Sequence, residues 1–271
     1  MSATVTRKDG PSGRFYEVDG ELYPSVTHVL GAINKPAIAP WAAKMERQAC
    51  LETAGALFVE LGADLQHYPA SWVVAALEAR LGTVKAHQRT LEKAGDIGTQ
   101  AHLMIEWILR TAIGAAAGPK PAISAPAAIA VRAFQAWAVS VNLKPVLIER
   151  VVYSKRHKFA GTLDLLARVN GQLVMVDFKT GKAIYGESTL QAAAYSAALV
   201  EMGYLEPVRS LVVRLPKVQG DPDFEVLDVP ARAELLPVFL ATRALWEWTY
   251  SNEQAYRAKS RKPAKPAQAV A

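Results

Sequence analysis

The chain is poor in sulfur and in long apolar runs. A single cysteine, Cys50, among 271 residues excludes an internal disulfide and cannot supply a four-cysteine zinc or iron–sulfur centre. Its simplest reading is a small buried side chain. No stretch reaches the ~18 consecutive apolar residues that a membrane span requires. The opening MSATVTRKDG has no apolar signal-peptide core, and no internal repeat is visible. The expectation is a soluble, cytoplasmic protein of a reducing compartment, with no membrane association.

Excess charge is scarce outside one segment. The formal net charge is +6, yet Arg257, Lys259, Arg261, Lys262 and Lys265 fall within the last fifteen residues, which contain no acid. Without these five, 26 basic residues face 25 acidic ones. Residues 258–271 therefore read as a basic, solvated, disordered tail, with loose attachment to phosphate backbones as the alternative. Net charge is weak support for nucleic acid, and function must be read from a site.

What is present is enough apolar material, 51%, for a sizeable core with an appended helical part. Residues 1–113 read as mainly helical after a short extended start. Tyr16–Val18 and Gly20–Tyr23 suit a small hairpin, and Ser25 or Thr27 suits the cap of a helix running into Leu30. Helical periodicity covers 41–60 and 70–93, and Thr99 suits the N-cap of a helix from Gln100 to about Ile113. Residues 114–126, GAAAGPKPAISAP, read as a linker. From 127 to 257 an α/β (α+β) unit follows: a helix to about 142, then the β-branched, apolar runs Val146–Tyr153, Phe159–Val169 and Gln172–Lys179. A helix from Ser188 to about Met202 comes next, stopped by Gly203. Strands at Val208–Leu215 and Phe224–Val229 and a long helix over 231–257 complete the order.

Asn170-Gly171 between two apolar runs is a strong hairpin signal. With these two as the loop, cross-strand partners run from Val169–Gln172 to Asp164–Asp177, one shared face and about 5 Å apart at Cβ. Two like charges there are destabilising unless a cation lies between them, and a divalent ion takes carboxylate oxygens well. Period two puts Lys179 on the Asp177 face and sends Phe178 into the opposite layer. A bulge near Asp164 would shift this register. The alternative is an ordinary Asp177–Lys179 ion pair with Asp164 a solvated turn acid. Two carboxylates and an ammonium suit phosphodiester hydrolysis, which needs a metal to polarise phosphoryl oxygen and charge to stabilise the transition state. Asp164 and Asp177 are the expected ligands, and Lys179 the group that orients water or stabilises developing charge.

The motifs Gly161-Thr162-Leu163-Asp164, Asp177-Phe178-Lys179-Thr180-Gly181-Lys182 and Gln191-Ala192-Ala193-Ala194-Tyr195 resemble, in order and spacing, those of the PD-(D/E)xK nuclease superfamily. The nearest resemblance is to its RecB-type branch of phage recombination exonucleases and CRISPR adaptation nucleases. Gly98-Thr99-Gln100-Ala101-His102 with Glu106 resembles the branch's helical motif, and Tyr23-Pro24-Ser25-Val26-Thr27 the opening of phage-encoded members. The resemblance spans about residues 20–215. It implies a restriction-endonuclease-like αβββαβ core and a magnesium- or manganese-dependent DNA nuclease acting on DNA ends in phage recombination or repair. A single-strand annealing recombinase would be its partner, and the host cytoplasm its location. It further implies metal ligation by His102, Asp164, Asp177 and the backbone carbonyl of Phe178, catalysis by Lys179, and DNA contact or site ordering by Gln191 and Tyr195. Cluster-bearing relatives carry four cysteines, so no iron–sulfur cluster is expected here.

Several of these residues have a plainer reading. His102 and Glu106, four apart on one helix face, suit a ligand pair or a surface contact. Gln191 suits the far half of a capping box begun by Ser188, and Tyr195 a half-buried tyrosine. Glu149 is either another acid of the site or an outward, solvated glutamate. Lys155, Arg156 and Lys158 are either phosphate contacts flanking the scissile bond or a solvated hairpin tip. Trp107 and Trp137 fall in helices and read as core. A structure-specific or restriction-like endonuclease of the same fold and a catalytically silent DNA-binding protein are the competing functions.

Overall fold

The computed structural model describes residues 4–221 and 223–260, with side chains of the last helix as far as 254. Strands β1 (Val5–Gly10), β2 (Gly13–Val18) and β3 (Glu21–Pro24) form a small antiparallel sheet in chain order. The expected hairpin is its β2–β3 half. Ser25 supplies the cap of α1 (Val26–Leu30), its Oγ accepting the His28 N–H at 3.0 Å.

A helical stretch follows: α2 (Ile38–Leu61), a 3-10 turn at Gly62–His67, α3 (Ala70–Leu81) and α4 (Ala86–Ala112). Here three expectations are corrected. Gly82 takes φ +69 and ends α3, so the helical pattern over 70–93 is two helices. Thr99 is no N-cap but a mid-helix residue of α4, which starts thirteen residues earlier behind the N-cap Lys85. Gly95 and Gly98 do not break it. Gly98 has a packing reason: a Cβ there would sit 2.9 Å from Thr180 Oγ1. Cys50 is exposed on α2, a helix that buries only Leu57. The expectation of a buried cysteine fails because α2 presents most of its surface to solvent.

Residues 115–124 are irregular and lead into α5 (Ala125–Ser140). Then come β4 (Lys144–Ser154), β5 (Phe159–Val169), β6 (Gln172–Lys179), α6 (Gly186–Glu201), β7 (Arg209–Arg214), β8 (Glu225–Val229) and α7 (Arg232–Ser260). The main sheet has the order β4-β5-β6-β7-β8. Only β6–β7 is parallel, and α6 makes the crossover that a parallel pair needs. Asn170 and Gly171 take φ +49 and +85, as a type I′ hairpin demands. Residues 261–271, most of the expected tail, lie outside the described residues, and α7 continues to Ser260.

Helices α4 and α5 cover one face of this sheet, through Met104, Ile105, Phe134 and Trp137 against Leu165, Val176 and Phe178. Helices α1, α6 and α7 cover the other, against Leu163, Leu166 and Met175. The fold is thus a mixed α/β sandwich consistent with a restriction-endonuclease-like core. Among the described residues no helix is long and apolar enough to cross a membrane.

Candidate metal and catalytic site

The site begins with a fault in the sheet. On β5, Leu163 packs toward α6 whereas Leu165, two residues on, packs toward α4. On β4, Ile148 and Val152 are divided in the same way. Residues an even number apart should share a face. The alternation therefore breaks in both strands at one level, between the pairs Ile148–Leu165 and Arg150–Leu163. Glu149 and Asp164 occupy that level, and Glu149 adopts φ +46. A non-glycine residue there costs roughly 1–3 kcal/mol, and the cost is met where two carboxylates are turned to one point.

The β5–β6 register runs as expected from Val169–Gln172 to Leu165–Val176 and stops one step before Asp164–Asp177. Asp164 is therefore not a direct cross-strand partner of Asp177, which corrects that expectation. The reason is local: Asp164 Oδ2 accepts the Phe178 N–H at 2.7 Å, occupying the place of a ladder hydrogen bond. Asp177 lies between two residues of the α4 layer, Val176 and Phe178, and so faces α6.

Helix α4 brings His102 to Asp164, with Nδ1 3.7 Å from Asp164 Oδ1 and 4.0 Å from Glu149 Oε1. Ligand atoms of His102, Glu149 and Asp164 all lie within 4.8 Å of one another. Burial would lower the His102 pKa, but the Asp164 and Glu149 carboxylates outweigh it and raise it to about 9. Burial also raises the Asp164 carboxyl, opposed by His102 and reinforced by Glu149.

On the other side of the break a hydrogen-bonded row holds the lysine. Lys179 Nζ donates to Asp177 Oδ1 at 3.0 Å and to Gln191 Oε1 at 2.9 Å. Its ammonium also lies 2.7 Å from Asp177 Oδ2, an oxygen that is buried with no donor in hydrogen-bonding line. Gln191 Nε2 donates to the Tyr195 hydroxyl at 3.2 Å. The Tyr195 ring leans on Gly161, where a Cβ would lie 2.5 Å from Cε1. Gln191 does not reach back to Ser188, so the capping-box reading fails; α6 starts at Gly186 instead. Burial raises Asp177 to about 6, against the pull of Lys179 and with a push from Asp164. Burial favours the neutral amine of Lys179, yet Asp177 and Asp164 keep its pKa above the ordinary value.

The remaining candidates fall elsewhere. Lys155 is paired with Asp19, and Lys158 with Glu21 and Tyr23, while the Arg156 N–H donates to Glu201 Oε1. These three sit at the β4–β5 tip, six residues or more from Asp164, about 20 Å along a strand. Glu106 accepts from Arg110 at 2.7 Å and is outside the three-residue group. Trp137 is buried, and Trp107 is half-buried with its Nε1 donating to the Gly118 carbonyl. Sequence reasoning did not find Tyr16, whose hydroxyl lies 3.0 Å from Thr162 Oγ1. That contact spans 146 residues, and no local pattern announces it.

Comparison with known proteins fits this geometry. A family profile described as the PD-(D/E)XK nuclease superfamily matches residues 125–264. That is just over half of the chain, and the protein belongs to this superfamily. The matched stretch contains Glu149, Asp164, Asp177, Lys179, Gln191 and Tyr195; His102 lies outside it. One matching solved structure is "Crystal structure of SSO0001", at 12% identity and TM-score 0.27, over 44% of this chain and 57% of that one. At that score it carries no weight. No curated protein matches the chain.

The donors fit a divalent cation. Two carboxylates, Glu149 and Asp164, converge with the His102 imidazole, the Asp177 carboxyl is close enough to feel the charge of Asp164, and hard cations prefer such oxygen-rich sets. Membership of the superfamily makes the protein a nuclease by descent, a hydrolase class that uses divalent metals.

Proposed function

We propose that this protein is a magnesium- or manganese-dependent deoxyribonuclease that hydrolyses phosphodiester bonds at DNA ends. The observation that carries the reading is the convergence of His102, Glu149 and Asp164 on one side of Asp177 and Lys179. In this reading His102, Glu149, Asp164, Asp177 and the Phe178 carbonyl hold the ion. A divalent ion so held supplies Lewis acidity to phosphoryl oxygen and acidifies water.

The chain's own groups do the rest. Lys179 keeps its proton because Asp177 and Asp164 stand beside it, and presents a fixed ammonium to charge developing on the phosphoryl group. Gln191 can point its amide only one way. Its oxygen is taken by Lys179 and its nitrogen by Tyr195, so the pair aims the lysine. Tyr195 stays a phenol, since burial and then Asp177 and Asp164 raise its pKa well above the ordinary value. Gln191 and Tyr195 thus act as positioning residues.

Action on ends, in phage-type recombination or repair beside an annealing recombinase in a bacterial cytoplasm, rests on the RecB-type motifs alone. The test is digestion of end-labelled linear and closed circular DNA in parallel, with and without manganese. Linear DNA should be degraded and the circle spared. Asp164→Asn and Lys179→Met should abolish cleavage while melting normally, and Asp164→Asn should also lose the thermal shift given by manganese. Cleavage of the circle would favour an endonuclease. Undiminished cleavage by both variants would remove the proposed centre.

A further inference from the structure

The lysines expected to flank the scissile phosphate are occupied elsewhere, and the ends of β6 and β7 present another. Lys217 lies just past β7, whose last residue Arg214 is the register partner of Lys179. Leu215 N donates to the Lys179 carbonyl at 2.7 Å, which ties this segment to the catalytic strand end. The Lys217 side chain crosses to α4, where its Nζ donates to the Ala94 carbonyl at 3.1 Å.

Ala94, Gly98 and His102 are spaced by four on α4 and lie along one side of it. His102 meets Asp164, Gly98 abuts Thr180 beside Lys179, and Ala94 receives Lys217. The helix thus runs from the metal group past the catalytic strand end to Lys217. At 1.5 Å per residue, Ala94 lies about 12 Å from His102 along the axis, or roughly three nucleotides of a stacked strand.

Lys217 is half-buried, and no carboxylate lies within 4.0 Å of its ammonium among the described residues. Burial alone lowers its pKa, with no compensating acid. An ammonium has three donors, and the Ala94 carbonyl uses one. A partly desolvated cation with two spare donors suits an anion.

From this geometry we infer that Lys217 is a subsite for a backbone phosphate of the nucleic-acid strand, a few nucleotides from the bond being cut. The inference rests on the nuclease reading. It assigns to the β7–β8 loop the anchoring that the β4–β5 tip does not provide. The contact is to phosphate and carries no base preference.

The experiment uses the full chain with fluorescein-labelled duplex DNA in calcium, followed by anisotropy over 50–200 mM salt. Lys217→Met should reduce the slope of log affinity against log salt by about one, and Lys217→Arg should restore it. In manganese, Lys217→Met should raise KM about fivefold at low salt, with the loss falling on KM rather than kcat. A slope and KM equal to wild type, in a preparation that cleaves DNA, would overturn the subsite and leave the nuclease reading standing. A wild-type protein that neither binds nor cleaves DNA would overturn both. Should Lys217→Met melt early, Lys217→Gln is measured in its place.

Discussion

Replacing Gly161 with alanine isolates the link between the strand of Asp164 and the helix of Gln191. Gly161 is not in the left-handed backbone region, so alanine carries no conformational penalty there. The whole effect is steric. The new Cβ would lie 2.5 Å from Tyr195 Cε1, 2.9 Å from its hydroxyl oxygen and 3.0 Å from Cζ. The ring is rigid and only 3% exposed, so it cannot swing into solvent. Overpacking of this kind costs about 1–3 kcal/mol. For a chain of this size, about 2 kcal/mol lowers Tm by roughly 4–8 °C. Tyr195 must retreat, which loosens the 3.2 Å bond from Gln191 and with it the aim of Lys179. Misplacement by a fraction of an ångström should lower kcat by about ten- to a hundredfold. Melting curves and manganese-dependent cleavage measure both effects. The decisive control is Tyr195→Ala, which removes the obstructing ring at its own cost of about 3–5 kcal/mol. In that background Gly161→Ala should add less than about 0.5 kcal/mol. A single variant melting within about 1 °C of wild type, or the same penalty in both backgrounds, would refute the steric reasoning.

Two further expectations concern protons and the hairpin tip. His102 is raised from 6.5 to about 9, so its charge supports the metal-free fold below pH 6.5 and that support fades toward pH 9. Asp177 is raised from 3.8 to about 6, so the folded state keeps its proton longer and metal-free stability falls across that window as pH rises. Manganese binding at pH 7.5 should therefore release about one proton, from His102. Titration calorimetry in buffers of different ionisation enthalpy would read it, and no release would contradict His102 as a ligand. Lys155→Ala with Lys158→Ala removes two exposed ion pairs to the small N-terminal sheet. Cleavage of linear DNA should stay within about twofold of wild type, and a tenfold loss would put the tip back in the substrate path.

The parts of the fold that were legible in the sequence are those with short-range causes. Asn170-Gly171 forces its turn, and the β5–β6 register follows from it for five pairs. Period two puts Asp177 and Lys179 on one face, and a spacing of four puts Gln191 and Tyr195 on one helix stripe. The departures have long-range or exceptional causes. Nothing in the local sequence around Glu149 signals a positive φ, because glutamate rarely adopts one. The full length of α4 was hidden because Thr99 offered a local helix start, while the contact that suits Gly98 to a mid-helix place, with Thr180, is long-range. The partners of Lys155 and Lys158 stand 136 and 137 residues away. The exposure of Cys50 depends on how little covers α2.

The matched irregularities at Glu149 and Asp164 also constrain how β4 can slide along β5. In a uniform hairpin a slip of two residues preserves the inside and outside faces and costs little specificity. Here any slip would set one kink against regular backbone on the opposing strand, and core side chains on one flank would turn toward the wrong layer. The flaw works as a key: deleting or inserting one residue in either strand near this level would part Glu149 from Asp164 even where the chain still folds.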